Sequence, residues 1–140
     1  MDSDLQTRIR IMEDREEIRM LLADYCWYAT KAEWEKLVAL FAEGGTLHIA
    51  LPGGGARHWN GREEILQSVT ALNLPVIPLL HNEVIKVDGD RAESRCTMHT
   101  PLGPDSSSNG FVGHYHDQLA KVNGKWRFTA RHFEPQLGNY

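Results

Sequence analysis

Apolar residues recur three and four positions apart over residues 8–30, at Ile11, Ile18, Leu21, Leu22, Tyr25 and Tyr28. That spacing predicts one long amphipathic helix. Glu13, Asp14, Arg15, Glu16, Glu17 and Arg19 sit largely between them and give the helix its charged side. Thr30, with Glu33 three residues on, reads as the cap of a second helix carrying Trp34, Leu37, Val38 and Phe41. Gly44-Gly45 would end it. Residues 46–51 read as a strand, and Pro52-Gly53-Gly54-Gly55 as a turn or flexible loop. A third helix is expected over 62–72, with Ile65, Leu66 and Val69 on one face. Pro75 and Pro78 make residues 74–80 an irregular crossing.

From His81 the period changes to two. Residues 81–87 form a strand leading to the turn Asp88-Gly89-Asp90. In 92–100, Ala92, Ser94, Cys96, Met98 and Thr100 fall on one face, and Glu93, Arg95, Thr97 and His99 on the other. That alternation predicts a half-buried antiparallel strand. Residues 101–110 are rich in Pro, Gly and Ser and read as a long loop. Strands follow over 111–122 and 125–133, joined by Asn123-Gly124. Three helices with one early strand among them, then a meander of about four strands, make an α+β protein.

The chain has 140 residues, 41% hydrophobic and 24% charged. That is the size of one domain, which we place over residues 1–140. Such a domain buries roughly two-thirds of its unfolded surface and needs no staple. A net charge of -4 argues against a nucleic-acid surface. The polar N-terminus is no signal peptide, and no apolar run approaches a membrane span, so a cytoplasmic protein is expected. Cys26 and Cys96 lack ligand-spaced neighbours and read as small buried residues.

Five segments together resemble the SnoaL-like branch of the nuclear-transport-factor-2-like superfamily. They are Asp14-Arg15-Glu16-Glu17-Ile18; Trp34 through Phe41-Ala42-Glu43; Gly61-Arg62-Glu63-Glu64-Ile65; Asn82 through Ala92; and Val122 through Phe128. The resemblance implies a cone, a strongly curved mixed or antiparallel sheet wrapped around three N-terminal helices and open at one end. Its members include polyketide cyclases, scytalone dehydratase, a bile-acid dehydratase and a dehydrochlorinase, and the small subunits of ring-hydroxylating dioxygenases look similar. The expectation is therefore a cofactor-free lyase, isomerase or cyclase acting on a small hydrophobic, aromatic or polycyclic molecule. The alternatives are a ligand-binding or scaffold protein without chemistry, or a dioxygenase small subunit. A homodimer or higher homo-oligomer is also implied.

Dehydratase-like members pair an aspartate ending the first helix with a histidine opening the strand before the hairpin. Here those positions hold Thr30 and Pro78. Thr30 cannot balance an imidazolium. Tyr25 falls where the bile-acid dehydratase places a catalytic tyrosine, and Arg131 where the dehydrochlorinase has a pocket arginine. Tyr25, Arg131 and His81 are the candidate catalytic residues, as acid or donor, anion stabiliser and base. Each also has a plainer reading, as core packing, a solvated strand residue and a surface or interface histidine. Arg131 has the opposite strand parity to Trp126 and Phe128; buried, it would want an acidic partner or an anionic ligand. Tyr28, Thr30, Phe41, Asn82, Met98, Phe111, Tyr115 and Phe133 are expected to line the cone. His114 and His116, with His99 on the neighbouring strand, raise a metal site. The resemblance instead puts them on the outer face with Arg95 and Thr97, a candidate dimer surface. No metal is expected. His58 should be solvated.

Overall fold

A computed structural model describes residues 2–51, 54–72, 77–100 and 111–137. The first helix, α1, runs Asp2–Thr30 and buries Ile18, Leu21, Leu22, Tyr25 and Ala29. It closes on Ala32, whose φ is 55°. There Glu33 N–H donates to Tyr28 O at 2.9 Å and Ala32 N–H to Ala29 O at 3.2 Å, a Schellman closure. Thr30 does not cap a second helix. Its hydroxyl donates back to Cys26 O at 2.9 Å.

The second helix, α2 (Trp34–Val38), is shorter than its apolar spacing suggested, because Phe41–Ala50 is a strand, β1. Phe128 N–H reaches Leu40 O at 2.9 Å and captures the chain into the sheet there. Gly45 belongs to that strand too. A Cβ at this position would stand 2.9 Å from Phe128 O, so the glycine allows two backbones to meet rather than ending a helix. A short strand, β2 (Ala56–Asn60), follows where no element was expected, then α3 (Gly61–Leu72). Four long strands complete the chain: β3 (Leu79–Asp88), β4 (Arg91–Thr100), β5 (Phe111–Val122) and β6 (Lys125–Leu137). Asn123 and Gly124, both at positive φ, form the β5–β6 turn.

The six strands lie in the order β2-β1-β6-β5-β4-β3. All neighbours are antiparallel except β1 and β6, so the sheet is mixed. It curls round the helices without closing. Alternate residues of β4 and β5 turn inward as the period predicted. Two irregularities break that parity elsewhere. In β6, Ala130 pairs with Gln118 but Phe128 pairs with Leu119, so Thr129 is an extra residue. Trp126, Phe128, Arg131 and Phe133 consequently all face inward. In β3 the register slips between His81 and Val84, with Asn82 at a φ of 59°.

Candidate functional site

The interior is divided by a polar layer. The larger apolar cluster joins Leu21, Leu22, Leu37, Phe41, Ile85, Leu119, Trp126 and Phe128, among others. A smaller one holds Cys96, Met98, Tyr115 and Phe133. Between them, on three neighbouring strands and in direct register, lie Ser94, Asp117 and Arg131. Each occupies an inward position with an apolar residue two places away. Ser94 and Asp117 enter the layer by the strand period, and Arg131 joins them through the extra residue at Thr129.

Arg131 and Asp117 are both fully buried, and Arg131 Nε stands 3.1 Å from Asp117 Oδ1. The contact is an ion pair whose geometry is not that of a hydrogen bond. Ser94 donates its hydroxyl to Asp117 Oδ2 at 3.3 Å. The guanidinium carbon lies 3.5 Å from the ring centre of Tyr115, 4.1 Å from that of Tyr25 and 4.7 Å from that of Phe128. These aromatic faces supply negative quadrupole to a cation held out of water. Nη1 and Nη2 have no hydrogen-bond partner among the described residues.

Burial pushes Asp117 up to about 6, against the opposing pull of Arg131 and Ser94. Burial works most strongly against the charge of Arg131, but Asp117 together with Tyr115, Tyr25 and Cys96 outweighs it, and the guanidinium is held more firmly protonated. Burial raises Tyr25 and Tyr115, keeping both as phenols. Cys96 is raised to about 12 by burial and is no nucleophile. The layer thus contains a fixed cation with donors to spare, two phenol donors and one carboxylate close to neutrality in its affinity for protons.

Of the candidate catalytic residues, Tyr25 and Arg131 meet here. His81 does not. It is exposed and pairs with Thr97, on the outer face. Asn82 departs from its expected inward position as well. The bulge carries it to an open outer groove of about 500 Å³ that it shares with Arg95, Thr97, His114, His116, His132 and Glu134. Thr30 is exposed at the end of α1, and Tyr28 is half-buried there with Lys36 above its ring. Phe41, Met98, Tyr115 and Phe133 are buried. Pro78 is buried too. Phe111 opens β5, and its side chain lies outside the described residues, as does the 101–110 loop.

Asp117 and Ser94 were missed as site residues. Ser94 stands on the inward face that alternation defined, and Asp117 lies midway between Tyr115 and Leu119 with the same parity. A charged residue on a buried stripe was the available signal.

Among the described residues, no histidine reaches the interior. His58, His48, His132 and His116 instead form a row across β2, β1, β6 and β5 on the outer face. His48 and His58 approach Nδ1 to Nδ1 at 3.1 Å, and His58 Nε2 meets Asn60 Oδ1 at 3.0 Å. Among the described residues, no three His, Cys, Asp or Glu side chains converge as a metal site. No described helix is long and apolar enough to cross a membrane.

Residues 10–132 match the family model of the SnoaL-like domain. A nuclear-transport-factor-2-like protein of cystatin-like fold from Novosphingobium aromaticivorans superposes with a TM-score of 0.81 at 26% identity, covering 98% of this chain and 91% of that one. A candidate scytalone dehydratase from the same organism gives a TM-score of 0.75 at 20% identity, with 90% and 86% covered. The beta subunit of a candidate aromatic-ring-hydroxylating dioxygenase, again from that organism, gives 0.78 at 17% identity, with 91% and 92% covered. At such identities these last two likenesses speak for the fold alone. No curated protein matches the sequence.

Proposed function

Because residues 10–132 match its model, this chain belongs to the SnoaL-like domain family, and on that premise we propose that it takes a small, flat, largely apolar molecule carrying an oxyanion into the cone. The chemistry proposed is cofactor-free acid–base lyase, isomerase or cyclase chemistry. The observation that carries this reading is the buried Arg131 guanidinium, stacked on Tyr25 and Tyr115 with two nitrogens unengaged by described residues. A carboxylate, phenolate or enolate oxygen would satisfy those donors in a low-dielectric site, where charge-assisted hydrogen bonds are strongest.

In this mechanism Arg131 stabilises the oxyanion and Tyr25 donates a hydrogen bond or a proton. Asp117, raised to about 6 by burial, is the proton acceptor. That carboxylate takes the place of the histidine base found in dehydratase-like members. Binding of an anion near Arg131 would also loosen its hold on Asp117 and make the carboxylate more basic.

A second reading, binding or scaffolding without turnover, is favoured by one feature. A Cβ on Gly113 would collide with the Phe133 ring, so that ring is packed directly onto the strand and fills part of the interior. A dioxygenase beta-subunit role is supported by fold likeness only.

The test is a thermal-shift and fluorescence titration with paired aromatic ligands, such as naphthoate and naphthol against naphthalene. Stabilisation by the oxygen-bearing members, lost in the Arg131→Met/Asp117→Leu pair, is expected. Removing both charges together avoids stranding one of them, which alone costs about 3–5 kcal/mol. Protection that is indifferent to oxygen, or undiminished in the double variant, would overturn the proposal.

A further inference from the structure

The imidazole row on the outer face of the sheet continues into a guanidinium. His58, His48, His132, His116 and Arg95 are direct cross-strand partners on β2, β1, β6, β5 and β4. Neighbouring strands lie about 4.8 Å apart, so the row spans roughly 19 Å in a straight line. The ring centres of His48 and His132 are 5.1 Å apart, and those of His48 and His58 5.3 Å. Strand pairing assembles this row, since each member comes from a different strand.

The half of the row from Arg95 to His132 lines the open groove of about 500 Å³, beside Asn82 and His114. That volume suits a small molecule. Among the described residues Arg95 enters no ion pair. The register row on one side holds Glu134, His114, Thr97 and His81, and the row on the other holds Gln118, Glu93 and Lys86. While the imidazoles are neutral, Arg95 and Lys86 balance Glu134 and Glu93, and the face has no net charge. Each imidazole that takes up a proton then adds one positive charge, and histidine does so across the range from about pH 8 to 5. The row members sense one another. Burial, then His48 and His116, with a smaller push from His58, lower the pKa of His132, against the pull of Glu134. An anion lying along the row would relieve that repulsion.

We propose that this outer groove is a second binding site, separate from the cone interior, for a small molecule carrying a chain of two or more phosphate groups, and that it fills as the imidazoles take up protons. A pyrophosphate group sets its negative charges along a line, as the row sets its cations. A lone carboxylate would meet one of them and leave the rest repelling. Arg95 supplies a planar fork for phosphate oxygens, and protonated His116 and His132 supply charge-assisted N–H donors. Glu134 opposes the anion while the site is unprotonated, which sharpens the dependence on acid.

The test is calorimetric titration of the full chain with inorganic pyrophosphate at constant low ionic strength. Near pH 5.5 the Kd should be on the order of 10–100 µM, and near pH 7.5 at least about tenfold weaker. Pyrophosphate itself loses negative charge on acidification, so tightening must come from the protein. His116→Gln with His132→Gln should erase the gain on acidification. Both side chains are exposed, so melting at neutral pH should not change. Arg95→Gln should weaken binding at both pH values, and Glu134→Gln should tighten it at both. The Arg131→Met/Asp117→Leu pair should bind pyrophosphate as the parent does, which separates this site from the interior one. Loss of binding in that pair would overturn the proposal. Absence of binding near pH 5.5, whether or not another molecule covers the face, would overturn it as well. So would an equal loss in Arg15→Gln, on α1, which would mark diffuse attraction between charges and no built site.

Discussion

Asp14 of α1 accepts the indole N–H of Trp126 from 3.0 Å, across 112 residues of sequence. The same oxygen takes Lys121 Nζ at 2.8 Å. Two of the segments that carry the family resemblance, one in the first helix and one in the last hairpin, thus meet at a single carboxylate. Asp14 is a structural residue that pins α1 to the β5–β6 turn region, and it lies outside the proposed chemistry.

Asp14→Ala leaves the buried indole N–H without an acceptor and should cost about 1–3 kcal/mol in urea unfolding. Burial pushes Asp14 upward, but the hydrogen bonds of Lys121 and Trp126, with the charges of Lys121 and Arg10, together outweigh it and hold its pKa below the ordinary 3.8. Its contribution is therefore present above pH 3.8 and lost as pH falls through the lower folded value. The stability gap between the parent and Asp14→Asn should narrow below that point.

His132 should make the fold sensitive to mild acid. Burial, then His48 and His116, with a smaller push from His58, lower its pKa from 6.5, against the pull of Glu134. The unfolded chain then binds its proton first, so stability falls as pH drops below 6.5. Asp117 acts with the opposite sign between 3.8 and about 6, where its raised pKa favours the folded state on acidification. Urea midpoints followed from pH 7 downward should decline at first, and His132→Gln should remove that decline.

Gly113→Ala should destabilise by about 1–3 kcal/mol, since the new methyl collides with the Phe133 ring and approaches the Glu134 carbonyl. Phe133→Leu in the same chain should recover part of the loss, measured by thermal unfolding. Full recovery is not expected, because the carbonyl cannot withdraw.

Ala32→Gly should stabilise. Ala32 is exposed and sits at a φ of 55° in the closure of α1, where a side chain is strained. Relief of that strain should exceed the added freedom of the unfolded glycine by about 0.5–1 kcal/mol. An unchanged melting temperature would show that the closure carries no strain.

The sequence alone determined the architecture. Helical spacing placed α1 and α3, and alternation gave β4 and its inward set. The turn residues located the β3–β4 and β5–β6 hairpins, and the five segments named the cone. These features are local, set by which residues repeat at which period. Of the strand Phe41–Ala50, residues from Thr46 on were legible and the opening was not, because residues 41–45 continue a helical apolar spacing and only the backbone of Phe128 draws them into the sheet. The facing of Arg131 was not legible either. Read from Trp126 and Phe128, its parity points outward; one extra residue at Thr129 reverses it. The slip at Asn82 likewise leaves both His81 and Asn82 outside. A bulge arises where two strands fail to keep step, which is a property of the pair and not of either sequence. The tertiary structure therefore decided what the strand period could not: that Arg131 lies inside the cone, that Asp117 and Ser94 meet it there, and that no described histidine is buried with them.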